Sequence, residues 1–254
     1  MATYDRYEKC VRDIVSSQNL STFKSNPTYN AVLEHVDEKG GAEYYNLLVN
    51  RSMYTREDIR TFCTMNDRLG SPLRYAYGDG LVCSPTSLRY LWHAHLILSW
   101  FKSFDKFSYD IVEIGGGYGG LCAAICLFAK KYNIAVPSYT IIDLPHVGDL
   151  QNLYLSDVQK KDSLFNNTQL SFVDAYTYGA GIQKDNLYLI SNYCFSEIPL
   201  QYQQLYRNIL FPKVKHGFMA WNMIPVYHFG FAMREEEETP NTGNVNSVNK
   251  FVYF

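Results

Sequence analysis

From residue 109 onward, short apolar segments alternate regularly with longer segments of helical period. The pattern predicts strands at residues 109–114, 138–142, 170–173, 187–190 and 217–221, and helices at 120–132, 150–159 and 199–210. Such alternation is typical of β-α-β units, in which helices cover both faces of a parallel sheet. Two further extended segments, 233–238 and 250–254, are expected to close the sheet as an antiparallel hairpin. We therefore predict an α/β fold with a mostly parallel sheet.

The first 105 residues follow a helical period instead. Helices are predicted at residues 29–36, 42–50, 57–69 and 86–104. The last of these has a clear start, because Ser84 can cap the free amides and Pro85 suits the first helical position. We expect a helical cap or substrate region at 1–105 and a second domain at 106–254.

Composition excludes some classes of function. The net charge of -2 provides no basic surface for a polyanion, so nucleic acid is a poor first candidate for a partner. No run of eighteen apolar residues occurs and the N-terminal residues are polar, so we predict neither a membrane span nor export. Six cysteines without a CxxC pair are expected to be free thiols, which favours a cytoplasmic location.

Residues 110–120, D-I-V-E-I-G-G-G-Y-G-G, run from a strand directly into a glycine-rich loop. In open parallel sheets, ligands bind outside the carboxyl ends of the strands, and glycines let them approach the backbone. The spacing E-x-G-x-G-x-G differs from the G-x-G-x-x-G that holds a pyrophosphate in dinucleotide folds. The alternative is a tight turn that needs positive φ angles.

Two acids end the next strands. Asp143 follows the strand at 138–142, where a carboxylate can accept hydrogen bonds from ribose hydroxyls, as in dinucleotide folds. The alternative for Asp143 is to cap the helix that Pro145 begins. Asp174 ends the following strand. With Glu113, three acids thus stand at strand ends, and together they indicate a ligand site more specifically than any one of them.

The glycine spacing resembles the first motif of class I S-adenosylmethionine-dependent methyltransferases. Further blocks resemble the sugar O-methyltransferase family and span roughly residues 66–222: N-D-R-L-G-S-P, S-P-T-S-L-R-Y, I-V-E-I-G-G-G-Y-G-G-L, I-I-D-L-P, I-S-N-Y-C-F-S-E-I and H-G-F-M-A-W-N. The S-N-Y-x-F-S-E block is the distinctive one. Two features depart from the pattern: His146 stands where an acid or small residue is expected, and the acidic run at 235–238 has no assigned role.

The resemblance implies a Rossmann-like class I methyltransferase sheet at 106–254 that binds S-adenosylmethionine, with an N-terminal helical cap. The cofactor contacts carried over are Glu113, Gly115, Gly116, Gly117, Tyr118, Gly119, Asp143, Leu144, Asp174, Ala175, Ser191 and Asn192. The implied reaction methylates a hydroxyl of a sugar, a nucleotide-sugar or a glycan in glycan biosynthesis. No nucleic acid partner is expected.

A sugar hydroxyl needs a base to accept its proton. We predict Glu197, which follows the fourth strand, ahead of His228, whose ordinary pKa is more suitable but whose alternative is a surface position. Predicted substrate contacts are Tyr193, Arg74, Tyr77, Arg89 and Asn222. Tyr75 and Tyr118 are further candidates for stacking on a sugar ring, and the two arginines could instead form salt bridges.

No metal site is assigned. His93 and His95 lie two apart on a predicted helix and point to different faces, so we interpret them as packing residues. The resemblance leaves open whether a divalent metal holds two oxygens of the sugar.

Two other functions are alternatives: a 2'-O-methyltransferase of RNA or its cap, and a binding protein with an inactive methyltransferase fold. Large apolar helices in the first hundred residues make a homodimer reasonable.

Overall fold

The computed structural model describes residues 2–104, 108–243 and 248–254, with side chains described from residue 5. The helices are α1 (Ala2–Ser17), α2 (Pro27–Leu33), α3 (Glu38–Arg51), α4 (Arg56–Asp67), α5 (Pro85–Lys102), α6 (Gly120–Phe128), α7 (Pro145–Asp162), α8 (Cys194–Glu197) and α9 (Leu200–Ile209). The strands are β1 (Tyr75–Ala76), β2 (Val82–Cys83), β3 (Ser108–Ile114), β4 (Ala135–Asp143), β5 (Gln169–Asp174), β6 (Leu187–Asn192), β7 (Val214–Trp221), β8 (Arg234–Glu237) and β9 (Lys250–Tyr253). The predicted domain boundary at 105–106 lies outside the described residues.

Seven of the described strands form one sheet in the order β5-β4-β3-β6-β7-β9-β8. The strands from β5 to β7 are parallel, whereas β9 pairs antiparallel with both β7 and β8. The direction in which strands are added reverses at β3: β4 and β5 are added on one side of β3, and the chain then crosses to place β6 on its other side. This confirms the predicted α/β fold with a mostly parallel sheet and antiparallel closing strands. β1 and β2 form a separate small hairpin.

Alternating side chains of the central strands fill two apolar cores. In β3, Ile111 packs with the helices of the first half of the chain, whereas Val112 and Ile114 face the opposite core. β3 and β6 are buried along nearly their whole length, as expected for strands covered on both faces. These two central strands therefore present only their ends to a ligand.

Helix starts follow local capping chemistry. The Ser84 hydroxyl accepts a hydrogen bond from the Ser87 amide (3.2 Å) at the start of α5, and Pro85 is its first residue, as predicted. Thr55 and Asp58 form a reciprocal capping box at the start of α4. No described helix is long and apolar enough to cross a membrane.

Helix α1 was not expected from its polar sequence. Its buried residues are Tyr7, Cys10, Val11 and Ile14, which recur at the three- and four-residue spacing of one helical face. This face packs beside α2 and α7. The periodicity is present in the sequence, but it is short and surrounded by charged residues.

Candidate functional site

The loop between β3 and α6 places three glycines in the left-handed backbone region. Gly115, Gly117 and Gly119 have φ values of +77°, +56° and +96°, which L side chains adopt only with strain. A β-carbon on Gly115 would lie 2.2 Å from Cβ of Cys194 in α8. Glycine is therefore required at residue 115 both by the turn and by the close approach of the loop that follows β6.

Asp143, the last residue of β4, holds the glycine loop. Its Oδ2 accepts hydrogen bonds from the Gly116 amide (3.0 Å) and from Nε2 of Gln151 (2.9 Å). Its Oδ1 accepts one from the Leu144 amide (2.9 Å). A carboxylate has about four acceptor positions, so this arrangement leaves about one for a ligand. Burial raises the pKa of Asp143 to about 7, although the three hydrogen bonds act against it.

Asp174 stands beside Asp143 at the same edge of the sheet. The two residues are partners in the parallel register of β4 and β5. Asp174 is exposed, and its Oδ1 accepts a hydrogen bond from the Tyr176 amide (2.8 Å) across the turn that Ala175 begins. Adjacent strand ends thus present two carboxylates to solvent or to a ligand.

Glu113 has a different environment from the other two acids. It is 1% exposed, and its Oε2 accepts a hydrogen bond from the phenol of Tyr139 (2.8 Å). Burial raises the pKa of Glu113 to about 8. In this conformation Glu113 supports the end of β3 from within the core.

The end of β6 lies next to the glycine loop. The hydroxyl of Ser191 donates to the carbonyl of Ile114 (2.8 Å) and accepts from the amide of Phe195 (3.0 Å), so it connects β3, β6 and α8. The next residue, Asn192, pairs through Nδ2 with Nδ1 of His93 (2.9 Å). Its Oδ1 is buried without a hydrogen-bond partner among the described residues.

Tyr193 connects the end of β6 to the C-terminal strands. Its φ of +65° turns the chain into α8, and its phenol donates to a carboxylate oxygen of Glu238. The other oxygen of Glu238 accepts from the amide and hydroxyl of Thr242 and from Nδ2 of Asn249 (2.7, 2.8 and 3.0 Å). Of the acidic run without an assigned role, Glu238 is therefore a buried structural partner of the predicted site.

Glu197 and Asn222 lie together after β6 and β7. The amide of Asn222 donates to Oε1 of Glu197, whose side chain is exposed. His228 is exposed in the loop after β7, and its Nδ1 accepts from the Gly230 amide (3.3 Å). The structure thus brings one of the two predicted bases next to a predicted substrate contact.

The remaining predicted substrate contacts lie in two parts of the fold. Arg89 is buried near the ring of Tyr193, with its guanidinium carbon 5.9 Å from the ring centroid. Arg74 donates to the backbone carbonyl of Asp67, and Tyr77 stacks against Tyr45 (6.1 Å, 19°). These two belong to the segment between α4 and α5.

The side chain of Tyr118 points into the core. It is 0% exposed, and its phenol donates to Oδ1 of Asn66 (3.2 Å). The ammonium group of Lys24 lies 4.2 Å from its ring centroid. Any contact of Tyr118 with a ligand in this conformation would use its backbone.

Several side chains of the site were not identified from the sequence. They are Tyr7, His93, Gln151, Cys194 and Glu238. For Gln151 a local signal existed, because it follows Asp143 by two helical turns at the start of α7. Tyr7 is buried, and the nearby charge of Asp143 contributes to the raised pKa of its phenol. For Tyr7 the only signal in the sequence was the periodicity of α1.

The two neighbouring histidines point to different partners. His93 pairs with Asn192, whereas Nδ1 of His95 lies 2.6 Å from the phenol of Tyr132. Burial lowers the pKa of His93 to about 3 and that of His95 to about 4, so both are neutral at physiological pH. In the described part of the chain, no group of three or more His, Cys, Asp or Glu residues is arranged to hold a metal ion.

No family model matches the chain, and no curated protein matches it. Among similar solved structures, an rRNA methylase from Streptococcus thermophilus is 10% identical, with 63% of this chain and 93% of that chain covered and a TM-score of 0.43. Magnesium protoporphyrin IX methyltransferase from Synechocystis PCC 6803, with bound SAM, is 11% identical (66% and 79% covered, TM-score 0.46). Mitomycin 7-O-methyltransferase is 13% identical (88% and 51% covered, TM-score 0.38). At these values no activity is carried over to this chain, whose fold rests on its own strand order and register.

Proposed function

We propose that this chain is an S-adenosylmethionine-dependent O-methyltransferase that acts on a hydroxyl of a sugar, a nucleotide-sugar or a glycan. The observation that carries the proposal is a row of groups along the carboxyl edge of the sheet. In strand order, Asp174, Asp143, the glycine loop and Asn192 end β5, β4, β3 and β6. The sequence blocks that resemble sugar O-methyltransferases support the choice of acceptor.

The groups in this row suit the parts of the cofactor. The carboxylates of Asp143 and Asp174 are acceptors for ribose hydroxyls and for an adenine amino group. The left-handed turn at Gly115, Gly117 and Gly119 presents backbone groups, rather than side chains, to the methionine chain. Oδ1 of Asn192, which has no hydrogen-bond partner among the described residues, is an acceptor for an ammonium group. When bound, S-adenosylmethionine supplies a methyl group on a positively charged sulfur.

Glu197 is the proposed general base. Its carboxylate is accessible, and the hydrogen bond from Asn222 orients it. In this role it takes the proton of the acceptor hydroxyl, while Asn222 and Glu197 together hold neighbouring hydroxyls by hydrogen bonds. The position at the ends of β6 and β7 keeps the base on the side of the row away from Asp174.

Calorimetric titration with S-adenosylmethionine and S-adenosylhomocysteine tests the cofactor, with NAD as the control ligand. We expect binding of the first two and none of NAD. Asp174→Ala should weaken binding about tenfold, as for loss of one hydrogen bond to a charged group. Asp185→Ala is the matched control, because Asp185 is also exposed but precedes β6 at the opposite edge. Absence of binding by the unaltered protein would overturn the proposed function.

Methyl transfer to a panel of sugars and nucleotide-sugars tests the acceptor and the base. Glu197→Gln should keep the affinity for S-adenosylhomocysteine and lower kcat by about 10²–10⁴-fold, the usual contribution of a general base. Glu237→Gln, an exposed acid in β8, serves as the control. Full activity of Glu197→Gln would move the base elsewhere, with His228 next. Methylation of RNA, without that of any sugar, would contradict the sugar acceptor but keep the cofactor assignment.

A further inference from the structure

Arg89, in the second turn of α5, is a buried cation with little compensation from the protein. Its side chain is 4% exposed. Its Nη2 donates to the carbonyl of Leu33 (2.9 Å), and within residues 2–104, 108–243 and 248–254 the guanidinium has no second hydrogen-bond acceptor and no ion pair. Glu34, an acid that acts on Arg89, interacts more strongly with Lys24. A guanidinium has five donors, and burying its charge without a partner costs free energy.

The position of Arg89 points to the predicted cofactor site. Leu33, whose carbonyl it contacts, brings Cδ1 to 3.4 Å from the place where a β-carbon on Gly117 would stand. Tyr90, the next residue of α5, lies against Gly117 and Gly120. On the other side, the ring of Tyr193 is 5.9 Å from the guanidinium carbon. Arg89 is therefore placed between the glycine loop and the end of β6.

The strand order indicates which part of a ligand reaches this point. If the adenine lies at the end of β5 and the ribose at the end of β4, the methionine part continues past β3 towards β6. Three strand spacings of about 4.8 Å give a span of roughly 14 Å, a suitable length for an extended nucleoside that carries an amino acid. The carboxylate is the far end of such a ligand.

Asn192 supplies the second, independent observation. Its Nδ2 pairs with Nδ1 of His93, which fixes the orientation of the amide. Its Oδ1 is left buried, without a hydrogen-bond partner in the described part of the chain. Within the described residues, an acceptor without a partner and a buried cation without an ion pair thus lie near Tyr193, which suits the two charges of an amino acid zwitterion.

We propose that Arg89 binds the carboxylate of the methionine part of the cofactor, while Oδ1 of Asn192 accepts a hydrogen bond from its ammonium group. The inference rests on the proposed function and adds a specificity-determining residue to it. Arg89 makes the site select ligands that carry an amino acid over ligands that end at the thioether. Under this proposal Arg89, which is predicted from the sequence as a substrate contact, binds the cofactor instead.

The test compares two ligands that share the adenosine part. S-adenosylhomocysteine carries the carboxylate and ammonium groups, whereas 5'-methylthioadenosine lacks both. Calorimetry should show that Arg89→Met weakens binding of S-adenosylhomocysteine by about 10- to 100-fold, the range for lost hydrogen bonds to charged groups. Binding of methylthioadenosine should stay within about twofold of the unaltered protein, which also shows that the variant is folded.

Arg60→Met is the matched control. Arg60 also donates one hydrogen bond to a backbone carbonyl, that of Asp79 (2.9 Å), but it is exposed on α4. This variant should bind both ligands unchanged. A second readout is the Tm of the ligand-free protein, which Arg89→Met should leave equal or raise, because an uncompensated buried charge is removed.

The outcomes separate the inference from the proposed function. If the unaltered protein binds neither ligand, the proposed function fails. If it binds both, and Arg89→Met leaves S-adenosylhomocysteine binding unchanged or weakens both ligands equally, the assignment of Arg89 is overturned. A loss confined to the ligand with the carboxylate establishes it.

Discussion

Gly115 is the residue on which the shape of the predicted site depends most directly. Its backbone is left-handed, and a side chain there would collide with Cys194. Gly115→Ala should therefore lower the free energy of unfolding by about 2–5 kcal/mol, from backbone strain and overpacking together. Urea unfolding measures this.

Gly181→Ala is the control for that substitution. Gly181 has no positive φ, and a β-carbon there would meet no atom within 4 Å. We expect a change within about 0.5 kcal/mol. Equal effects of the two substitutions would mean that Cys194 does not press on the glycine loop.

The carboxyl of Glu113 should make stability depend on pH. Its pKa rises from the ordinary 4.5 to about 8 on burial, so the folded chain binds the proton more tightly than the unfolded chain. The contribution of Glu113 to the free energy of unfolding should then be largest in acid and fall as pH rises from about 5 to about 8. Asp143, with a pKa raised to about 7, acts in the same direction.

Glu113→Gln removes this titration but keeps an acceptor for Tyr139. We expect a flatter dependence of unfolding free energy on pH than in the unaltered protein, measured by urea unfolding at several pH values. Glu237→Gln, at an exposed position, should leave the slope unchanged. Parallel curves for Glu113→Gln and the unaltered protein would contradict the raised pKa.

At this scale the sequence predicted where the glycines and strand-end acids lie, because both follow from the end of a strand. It could not predict that Asp143 accepts from Gly116 and Gln151, since those contacts depend on how α7 packs. The uncompensated burial of Arg89 was equally invisible, because it depends on three elements that meet only in the fold.

At the scale of elements, two glycines inside helices should respond to alanine in opposite ways. A β-carbon on Gly148 in α7 would have Phe172 Cβ at 3.9 Å as its contact, whereas one on Gly120 in α6 would lie 2.5 Å from the ring of Tyr90. Gly148→Ala should raise the free energy of unfolding by about 0.5–1 kcal/mol through helix propensity. Gly120→Ala should lower it through overpacking. The midpoints of urea unfolding measure both effects. If both substitutions destabilise the protein, the open space at Gly148 is contradicted.

The elements themselves were largely predictable. β3 to β7 and α5 carry apolar runs and caps that act locally, and the structure extends most of them by one to several residues. α1 was missed because its apolar periodicity is short and lies among charged residues, and packing against α2 and α7 is what buries that face. The local sequence pattern predicts an element well when the residues of that element determine its structure. It predicts less well when packing against a neighbouring element determines it.

At the scale of the whole molecule, the first hundred residues and the sheet share a core. One apolar cluster includes Tyr7 of α1, Leu91 of α5, Ile111 of β3 and Tyr253 of β9. The change of periodicity near residue 105 reports local structure and says nothing about which surfaces pack together. The division into two domains, the homodimer and the cytoplasmic location stay predictions.

The shared core should make unfolding a single transition. Trp92 and Trp100 report on α5, and Trp221 reports on β7. A Trp221→Phe variant keeps the two tryptophans of α5, and a Trp92→Phe/Trp100→Phe variant keeps the one in β7. For each variant, unfolding followed by fluorescence and by far-UV circular dichroism should give the same midpoint. A helical region that unfolds separately would show as two midpoints.

The place of β9 between β7 and β8 has a consequence for synthesis of the chain. β8 is made first, yet it joins the sheet only through β9. At about 5–20 residues per second on the ribosome, residues 234–237 wait on the order of a second for their partner. Three exposed glutamates, Glu235 to Glu237, disfavour pairing with a strand of another chain during that interval. We therefore expect the acidic segment to keep β8 from pairing with other chains until β9 is in place.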